Sequence, residues 1–302
     1  MVIATELTKT YGNKNEVVAV DKISFSVDKG EIFGLIGPDG AGKTSIFRML
    51  TTLLLPDSGS AIVNRYDVVK DYKKIRDTIG YMPGRFSLYQ DLTVEENLNF
   101  FATIFNTTVE KNYDLIKDIY IQLQPFKERR AGKLSGGMKQ KLALCCALIH
   151  KPTVLFLDEP TTGVDPVSRK EFWEMLKRLK LQGITILVST PYMDEATLCD
   201  RIGLIEKGKI LSVETPAKII ASYPGKLYAI KAVNIPALLK NMSSYENTLS
   251  SYAFGEYIHV SFRDNWFNEE KIRKHLESKG LNNIIIKETQ ATVEDCFIRL
   301  LT

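Results

Sequence analysis

The chain has 302 residues, of which 44% are hydrophobic and 25% charged, and its formal net charge is +4. This composition excludes a disordered chain and allows one large folded domain with a smaller one. No segment reaches the roughly 20 apolar residues that span a bilayer, and the dispersed lysines and arginines argue against a nucleic-acid partner. The sequence therefore predicts a cytoplasmic protein.

The predicted elements of the first two thirds alternate between strand and helix. In chain order, strands are predicted at residues 3–9, 17–27, 31–36, 153–157, 184–189 and 201–206, and helices at 43–54, within 93–123, and at 135–149, 166–181 and 192–198. Continuous apolar strands between helices predict an α/β domain on a mainly parallel sheet. An antiparallel portion is expected at the N-terminus.

The sequence pattern changes after Pro216, which indicates a second domain. Pro224-Gly225 is a turn signal, and the predicted domains are residues 1–220 and 226–302. In the second, strands are predicted at 226–231 and 257–262, and helices at 269–279 and 293–301. This pattern is typical of a small α+β unit, either a stabilising appendage or a dimerisation or regulatory element.

The four cysteines agree with a reducing compartment. Cys145 and Cys146 are neighbours in an apolar helical run, while Cys199 and Cys296 stand alone. Because their spacing matches neither a zinc site nor a disulfide framework, buried reduced thiols are predicted.

A glycine-rich segment between a strand and a helix has the pattern G-x-x-x-x-G-K-[ST]. Glycines let backbone N–H groups curl around phosphate oxygens, and the helix N-terminus adds partial positive charge. Lys43 can reach the β- and γ-phosphates, and the Thr44 hydroxyl can bind Mg²⁺. The predicted ATP-binding residues of this segment are Gly37, Pro38, Asp39, Gly40, Ala41, Gly42, Lys43, Thr44 and Ser45.

Two acids, Asp158 and Glu159, close a second apolar strand. Acids in this position are costly unless they meet a cation or solvent. Beside a bound nucleotide, Asp158 would hold Mg²⁺ through water, and Glu159 would orient or deprotonate the attacking water. The alternative is a solvated strand end.

Ser135, Gly136 and Gly137 precede a predicted helix. The serine can cap that helix and the glycines leave N–H groups for an anion, although a capped helix after a loop is the plainer alternative. The run 134–140, just before a strand that ends Leu-Asp-Glu-Pro, resembles the signature of the ABC ATPases. Tyr11 resembles the aromatic residue that stacks on adenine in that family, and residues 163–166 resemble its D-loop.

The resemblance covers residues 1–220 and implies a P-loop NTPase fold. That fold has a RecA-like core, an N-terminal antiparallel β portion and a helical subdomain, here followed by the small C-terminal α+β domain. The segments 37–44, 85–89 and 291–298 are similar to ATP-binding subunits of ABC-2 type exporters, the drug-resistance branch.

This branch implies an ATPase that binds ATP with Mg²⁺ and drives an integral membrane permease from the inner face of the cell membrane. It pairs head to tail with another nucleotide-binding domain, as a homodimer or a heterodimer. Ser135 and Gly137 would then contact the γ-phosphate of the partner's nucleotide.

Two positions depart from the family pattern. Gly84 stands where the family has a glutamine that touches Mg²⁺ and water, and Pro191 stands where it has a histidine that contacts the γ-phosphate. Gln90 is a weak substitute for the missing glutamine. The prediction is that ATP binding survives while hydrolysis slows by about 10²- to 10³-fold. The alternative function is an ATP-gated regulatory subunit with little hydrolysis.

Overall fold

The computed structural model describes residues 1–12, 16–85 and 87–301. Their contacts form two compact units, Met1–Ala217 and Lys218–Thr302. The division falls inside the helix Pro216–Ala221, whereas the boundary at residues 220–226 remains a prediction. Phe86, in the segment that resembles the exporter branch, lies outside the described residues.

The described secondary structure of the first unit follows the predicted alternation. Its strands are β1 Val2–Tyr11, β2 Val17–Val27, β3 Ile32–Ile36, β4 Ser58–Val63, β5 Tyr66–Asp67, β6 Ile79–Met82, β7 Val154–Asp158, β8 Thr185–Thr190, β9 Arg201–Glu206 and β10 Lys209–Glu214. Its helices are α1 Lys43–Leu50, α2 Tyr72–Thr78, α3 Val94–Ile104, α4 Tyr113–Tyr120, α5 Gly136–Leu148 and α6 Pro166–Leu181, with α7 Pro216–Ala221 at its end.

Two sheets organise this unit. An antiparallel sheet has the order β2-β1-β4-β5, and the main sheet has the order β10-β9-β3-β8-β7-β6. In the main sheet the pairs β9–β3, β3–β8, β8–β7 and β7–β6 are parallel, and only β10 pairs antiparallel among its described strands. The predicted fold class, an α/β domain with an antiparallel N-terminal portion, is confirmed.

The central strands β3, β7 and β8 are buried along their whole length. This explains their unbroken apolar runs, since helices cover both faces of a parallel sheet. Phe25 of β2 stacks on Phe33 of β3 with ring centroids 5.4 Å apart, joining the two sheets. Parallel strands also bring their carboxyl ends to one edge, where Ile36 pairs with Thr190 and Asp158 with Ser189.

Helix boundaries follow capping residues more closely than apolar periodicity. Thr93 begins α3 with a full capping box, since its side chain accepts from the Glu96 N–H and Glu96 accepts from the Thr93 N–H. The helix predicted over 43–54 ends at Leu50, and the one predicted over 192–198 is a 3₁₀ helix, Met193–Leu198. Before that 3₁₀ helix, the Thr190 hydroxyl accepts from the Tyr192 N–H and donates to the Glu195 carboxylate.

The second unit has strands β11 Leu227–Lys231, β12 Thr248–Phe254, β13 Tyr257–Phe262 and β14 Ile285–Thr289, and helices α8 Ile235–Ser243, α9 Glu269–Ser278 and α10 Val293–Leu301. Its antiparallel sheet has the order β12-β13-β11-β14. The strands at β11 and β13 and the helices α9 and α10 match the predicted elements. The sheet's edge strands, β12 and β14, were not predicted because their polar residues hide the alternation that pairing reveals.

The four cysteines are buried free thiols, as predicted. Burial raises the pKa values of the Cys145, Cys146 and Cys199 thiols. Among the described residues no helix is both long and apolar enough to cross a bilayer.

Candidate nucleotide site

The glycine-rich loop after β3 is held against its own sheet. A Cβ at Gly37 would lie 2.1 Å from the Ile205 carbonyl oxygen, so only glycine fits there. Gly42, directly before α1, has a φ of 103°, and a Cβ on it would lie 2.2 Å from the Ala19 carbonyl oxygen. The predicted glycines are therefore also required for packing, because the loop backbone lies directly against strands β9 and β2.

Lys43 is buried in the centre of this loop, with 3% of its surface exposed. Its Nζ donates to the carbonyl oxygens of Gly37, at 2.8 Å, and Pro38, at 3.0 Å. The same nitrogen lies 3.2 Å from Glu159 Oε1. The two segments on which the sequence-based prediction rests are thus brought together, with the ammonium between the loop and the acid.

Asp158 is almost fully buried and is held by a serine of the neighbouring strand. Ser189 Oγ donates to Asp158 Oδ1 at 2.5 Å and accepts from the Glu159 N–H at 3.0 Å. The Ser189 carbonyl oxygen also accepts from that N–H at 3.0 Å. One residue of β8 therefore positions both acids at the end of β7.

Glu159 has a backbone φ of 50°, in the left-handed region that side chains other than glycine seldom adopt. Such strain persists only where surrounding contacts impose it, and it concentrates at functional sites. Here the two hydrogen bonds from the Glu159 N–H to Ser189 impose it. The strain agrees with a functional role for this acid.

The phenol of Tyr81, on β6 beside these acids, has a raised pKa. Burial, followed by the negative charge of Asp158, raises the pKa of Tyr81 to about 12, against an opposing effect of Arg48. Tyr81 is therefore a neutral hydrogen-bonding group next to the acids over the physiological pH range.

Tyr11 lies at the end of β1 and is 40% exposed. Its hydroxyl is 3.1 Å from Ser45 Oγ, so the ring lies beside the first turn of α1. An exposed ring next to the phosphate loop is available for stacking on a base. Its predicted role as the adenine-stacking residue stays a prediction.

The signature residues contact a different segment of the first unit, residues 163–168. Ser135 caps α5, since its Oγ accepts from the Met138 N–H. A Cβ at Gly136 would lie 3.5 Å from the Gly163 carbonyl oxygen, and one at Gly137 would lie 2.8 Å from Ser168 Oγ. These contacts join the signature to residues 163–168 of the same chain.

The first departure from the family pattern is Gly84. A Cβ at Gly84 would lie 3.1 Å from the Asp158 carbonyl oxygen and 3.8 Å from Glu159 Cβ, so position 84 faces the acids as the resemblance implies. Gln90 is exposed, and its carbonyl oxygen accepts from the Gly132 N–H. Those contacts give no support to Gln90 as a replacement.

Three residues around the site were not predicted from the sequence. Ser189 contacts Asp158, and Thr161 and Thr190 both donate to the buried carboxylate of Glu195. The available signal was that Ser189 and Thr190 are polar residues closing an apolar strand, where unpaired hydroxyls are costly. Glu195 lies within the helix predicted over 192–198, and it is only 1% exposed.

The donor set suits a magnesium ion that is also bound by phosphates. Mg²⁺ prefers oxygen ligands and usually keeps only one or two protein groups beside substrate phosphates and water. The Thr44 hydroxyl and Asp158 carboxylate are such groups. In the part of the chain that the structure describes, no cluster of three His, Cys, Asp or Glu side chains could hold a metal by itself.

Comparison with known proteins decides the family. Residues 20–162 match the ABC transporter family. The Nod factor export ATP-binding protein I of Mesorhizobium japonicum is 35% identical over 298 residues, covering 97% of this chain and 84% of that protein. The chain belongs to the ATP-binding proteins of the ABC transporter family.

Other relatives of this ABC cassette carry drug-resistance names. The probable multidrug ABC transporter ATP-binding protein YbhF of Escherichia coli is 44% identical over 218 residues, which cover 72% of this chain but only 37% of YbhF. The doxorubicin resistance ATP-binding protein DrrA of Mycobacterium tuberculosis is 40% identical over 217 residues, covering 71% of the chain and 65% of DrrA. The predicted resemblance to the exporter branch is confirmed.

Solved structures show the same fold. The dimeric cassette MJ0796 with ADP and phosphate is 24% identical, with a TM-score of 0.65 over 71% of this chain and 98% of its own. A structure described as the ATP-binding subunit of an ABC transporter is 26% identical, with a TM-score of 0.66 over 73% and 92% of the two chains. The ABC cassette is therefore a P-loop NTPase domain.

Proposed function

We propose that this ABC cassette binds Mg-ATP and couples its binding and slow hydrolysis to export through an integral membrane permease. The observation that carries the proposal is the convergence of Lys43 and Glu159, whose charged groups lie 3.2 Å apart at the end of the phosphate loop. A phosphate group entering the loop would attract the ammonium and leave Glu159 facing the terminal phosphate.

The proposed roles follow the predicted residues. The loop Gly37–Ser45 cradles the phosphates, Tyr11 stacks on adenine, Thr44 and Asp158 hold Mg²⁺, and Glu159 acts on the attacking water. Ser135, Gly136 and Gly137 complete the site of a paired cassette, identical or different. Nucleic acid is not a proposed partner.

The exporter role and the location at the inner face of the cell membrane are supported by the drug-resistance relatives. The names of YbhF and DrrA refer to multidrug transport and doxorubicin resistance. The cargo is left open, because it would be selected by the permease.

Slow hydrolysis is supported by Gly84 and Pro191. Gly84 lies against Asp158 and Glu159 without a side chain to hold water, and Pro191 cannot donate a proton or a hydrogen bond. These residues also favour the second candidate, an ATP-gated regulatory subunit. The retained Glu159 favours the first, because a general base beside Lys43 suits hydrolysis.

The test is calorimetric titration of the full chain with ATP in the presence and absence of Mg²⁺. We expect Mg-ATP uptake by the wild type and its loss in Lys43→Ala. The matched control is Lys209→Ala, which removes an exposed lysine. Absence of uptake by the wild type would overturn the proposal, and phosphate release then separates the two candidates: slow release supports the ATPase and none supports the regulator.

A further inference from the structure

Glu195 is a buried carboxylate that the proposed catalytic steps do not use. It lies in the 3₁₀ helix Met193–Leu198 and is 1% exposed. Thr161 Oγ1 donates to its Oε1 at 2.8 Å, and Thr190 Oγ1 donates to its Oε2 at 2.6 Å. Because a buried carboxylate is unfavourable unless it is well paired, these two short bonds define its surroundings.

The two threonines belong to two different segments of the candidate site. Thr161 comes two residues after Glu159, and its carbonyl oxygen accepts from the Val164 N–H at 3.2 Å, so it anchors the D-loop-like segment 163–166. Thr190 ends β8, and its carbonyl oxygen accepts from the Gly37 N–H at 3.3 Å. Each oxygen of one carboxylate therefore holds one segment.

Arg169 supplies a positive charge near Oε1 of Glu195, the oxygen to which Thr161 also donates. Its Nε lies 3.6 Å from Glu195 Oε1, and its guanidinium lies 4.1 Å from the centre of the Tyr192 ring. The buried Nε has no hydrogen-bond partner among the described residues. Arg169 lies in the first turn of α6, and its N–H donates to the Asp165 carbonyl oxygen, so it is attached to the D-loop-like segment.

We propose that Glu195 is a positioning residue that couples the D-loop-like segment 163–166 to the phosphate loop. A displacement of that segment moves Thr161, and the Glu195 carboxylate, which is bonded to both threonines, moves Thr190 with it. Because the Thr190 carbonyl oxygen accepts from the Gly37 N–H, the backbone of the phosphate loop moves as well. The coupling rests on the proposed function, because it links the bound nucleotide with the segment beside the signature. The coupling predicts that loss of Glu195 weakens the response of the D-loop-like segment to bound nucleotide and leaves the nucleotide affinity unchanged.

The test follows hydrogen–deuterium exchange of the full chain with and without Mg-ATP. In the wild type, Mg-ATP is expected to slow exchange both in residues 37–45 and in residues 161–170. Glu195→Gln keeps the shape but offers only one acceptor oxygen to two donors. It should bind Mg-ATP with a Kd within about threefold of the wild type, keep the protection of 37–45 and lose that of 161–170, as expected when the support of a ligand-contacting segment fails.

The threonines provide a second measurement. Thr161→Val and Thr190→Val each remove one bond to the carboxylate with little change of volume. Each should reduce the protection of residues 161–170, and the double variant should lose no more than the stronger single variant, because both act through one group. Additive losses would contradict the coupling.

Glu31→Gln is the matched control. Glu31 is also a buried carboxylate, 9% exposed, and accepts from the Asp28 N–H and from Arg201. Glu31 precedes β3, at the opposite edge of the sheet from the phosphate loop. The Glu31→Gln variant should therefore lower the melting temperature without changing the pattern of protection.

The outcomes are distinguishable. If the wild type takes up no Mg-ATP, the proposed function fails and the coupling fails with it. If the wild type binds Mg-ATP but Glu195→Gln shows the same protection of 161–170 and differs only in melting temperature, Glu195 is structural and the coupling alone is overturned. The coupling also fails if Mg-ATP leaves residues 161–170 of the wild type unchanged.

Discussion

At the scale of single residues, the end of β8 organises the acids that the sequence pointed to. Asp158 is buried at 2% exposure and takes one hydrogen bond from Ser189, which also holds the Glu159 backbone. If Asp158 holds Mg²⁺ as proposed, this bond orients the carboxylate before the ion arrives, and loss of such a supporting partner typically weakens metal binding.

Removal of the Ser189 hydroxyl should therefore weaken the binding of magnesium more than the binding of nucleotide. In Ser189→Ala we expect the Mg²⁺ concentration that supports ATP binding to rise by about 10- to 100-fold. Calorimetric titration of ATP at increasing Mg²⁺ measures this shift, and Ser60→Ala, at an exposed serine of β4, is the control. Unchanged Mg²⁺ dependence in Ser189→Ala would mean that Asp158 needs no such support.

The missing side chain at position 84 has a geometric consequence as well as a chemical one. A Cβ there would lie 3.1 Å from the Asp158 carbonyl oxygen, so any larger residue must push that backbone by a few tenths of an ångström. Overpacking of this kind typically costs about 1–3 kcal/mol.

Gly84→Gln should therefore lower the stability and raise the rate of phosphate release. Gly84→Ala adds the same Cβ without the amide, so it should share the loss of melting temperature but not the gain in rate. Comparing the two variants with and without Pro191→His separates strain from chemistry. Equal phosphate release by Gly84→Gln, Gly84→Ala and the wild type would refute slowed hydrolysis caused by the missing glutamine.

At the scale of elements, hydrophobic periodicity predicts where a helix lies in the sequence, and polar contacts determine how it is held against the sheet. In the second unit, α10 is tied to the sheet by the fully buried Asp295. Asp295 Oδ1 accepts from Tyr252 on β12 at 2.5 Å and is 2.6 Å from His259 Nδ1 on β13, and Oδ2 accepts from the Thr292 N–H at 2.6 Å. Burial alone would raise the pKa of Asp295, but these partners outweigh it and lower the pKa below its usual value.

Asp295→Asn should destabilise the second unit by about 2 kcal/mol at neutral pH, the usual value for a hydrogen bond to a charged group. Because the folded-state pKa is lowered, the carboxylate's contribution is present above about pH 4 and is lost as the pH falls below it. Hydrogen exchange of β11 and β13 measures the opening of this unit. Asp264→Asn, at an exposed acid, is the control, and equal exchange in both variants would refute the role of Asp295.

At the scale of the whole molecule, the first unit presents two separate parts of one proposed site. Lys43, Asp158 and Glu159 converge, while the signature contacts residues 163–168. Two cassettes in head-to-tail pairing would bring the signature of one to the phosphate loop of the other. The dimeric form of the cassette MJ0796 shows that this fold can form pairs.

Gly136 allows a direct test of this pairing. The residue is exposed, and among the described residues a Cβ on it would come within 4 Å of the Gly163 carbonyl oxygen alone, at 3.5 Å. In Gly136→Glu the monomer should fold and bind Mg-ATP normally, since an acid suits the first turn of a helix. The new charge should repel the partner's phosphates, so a Glu159→Gln background that dimerises with Mg-ATP should become monomeric.

Light scattering after size-exclusion chromatography measures this change of mass. Lys73→Glu places an acid at an exposed position of α2, outside the signature run 134–140, and serves as the control. Dimerisation of the Gly136→Glu protein with Mg-ATP would exclude the signature from the interface.

The sequence by itself determined the phosphate loop, the acid pair, the signature and the alternation of strand and helix. These features depend on local spacing, glycine and apolar runs, which are readable along the chain. Only the tertiary structure decided that Ser189 holds Asp158, that Glu195 joins Thr161 to Thr190, and that β12 and β14 complete the second sheet. Such contacts link residues far apart along the chain, as in Asp158 with Ser189, Thr161 with Glu195, and Leu227 of β11 with Thr289 of β14, and long-range pairing leaves no periodic pattern in the sequence.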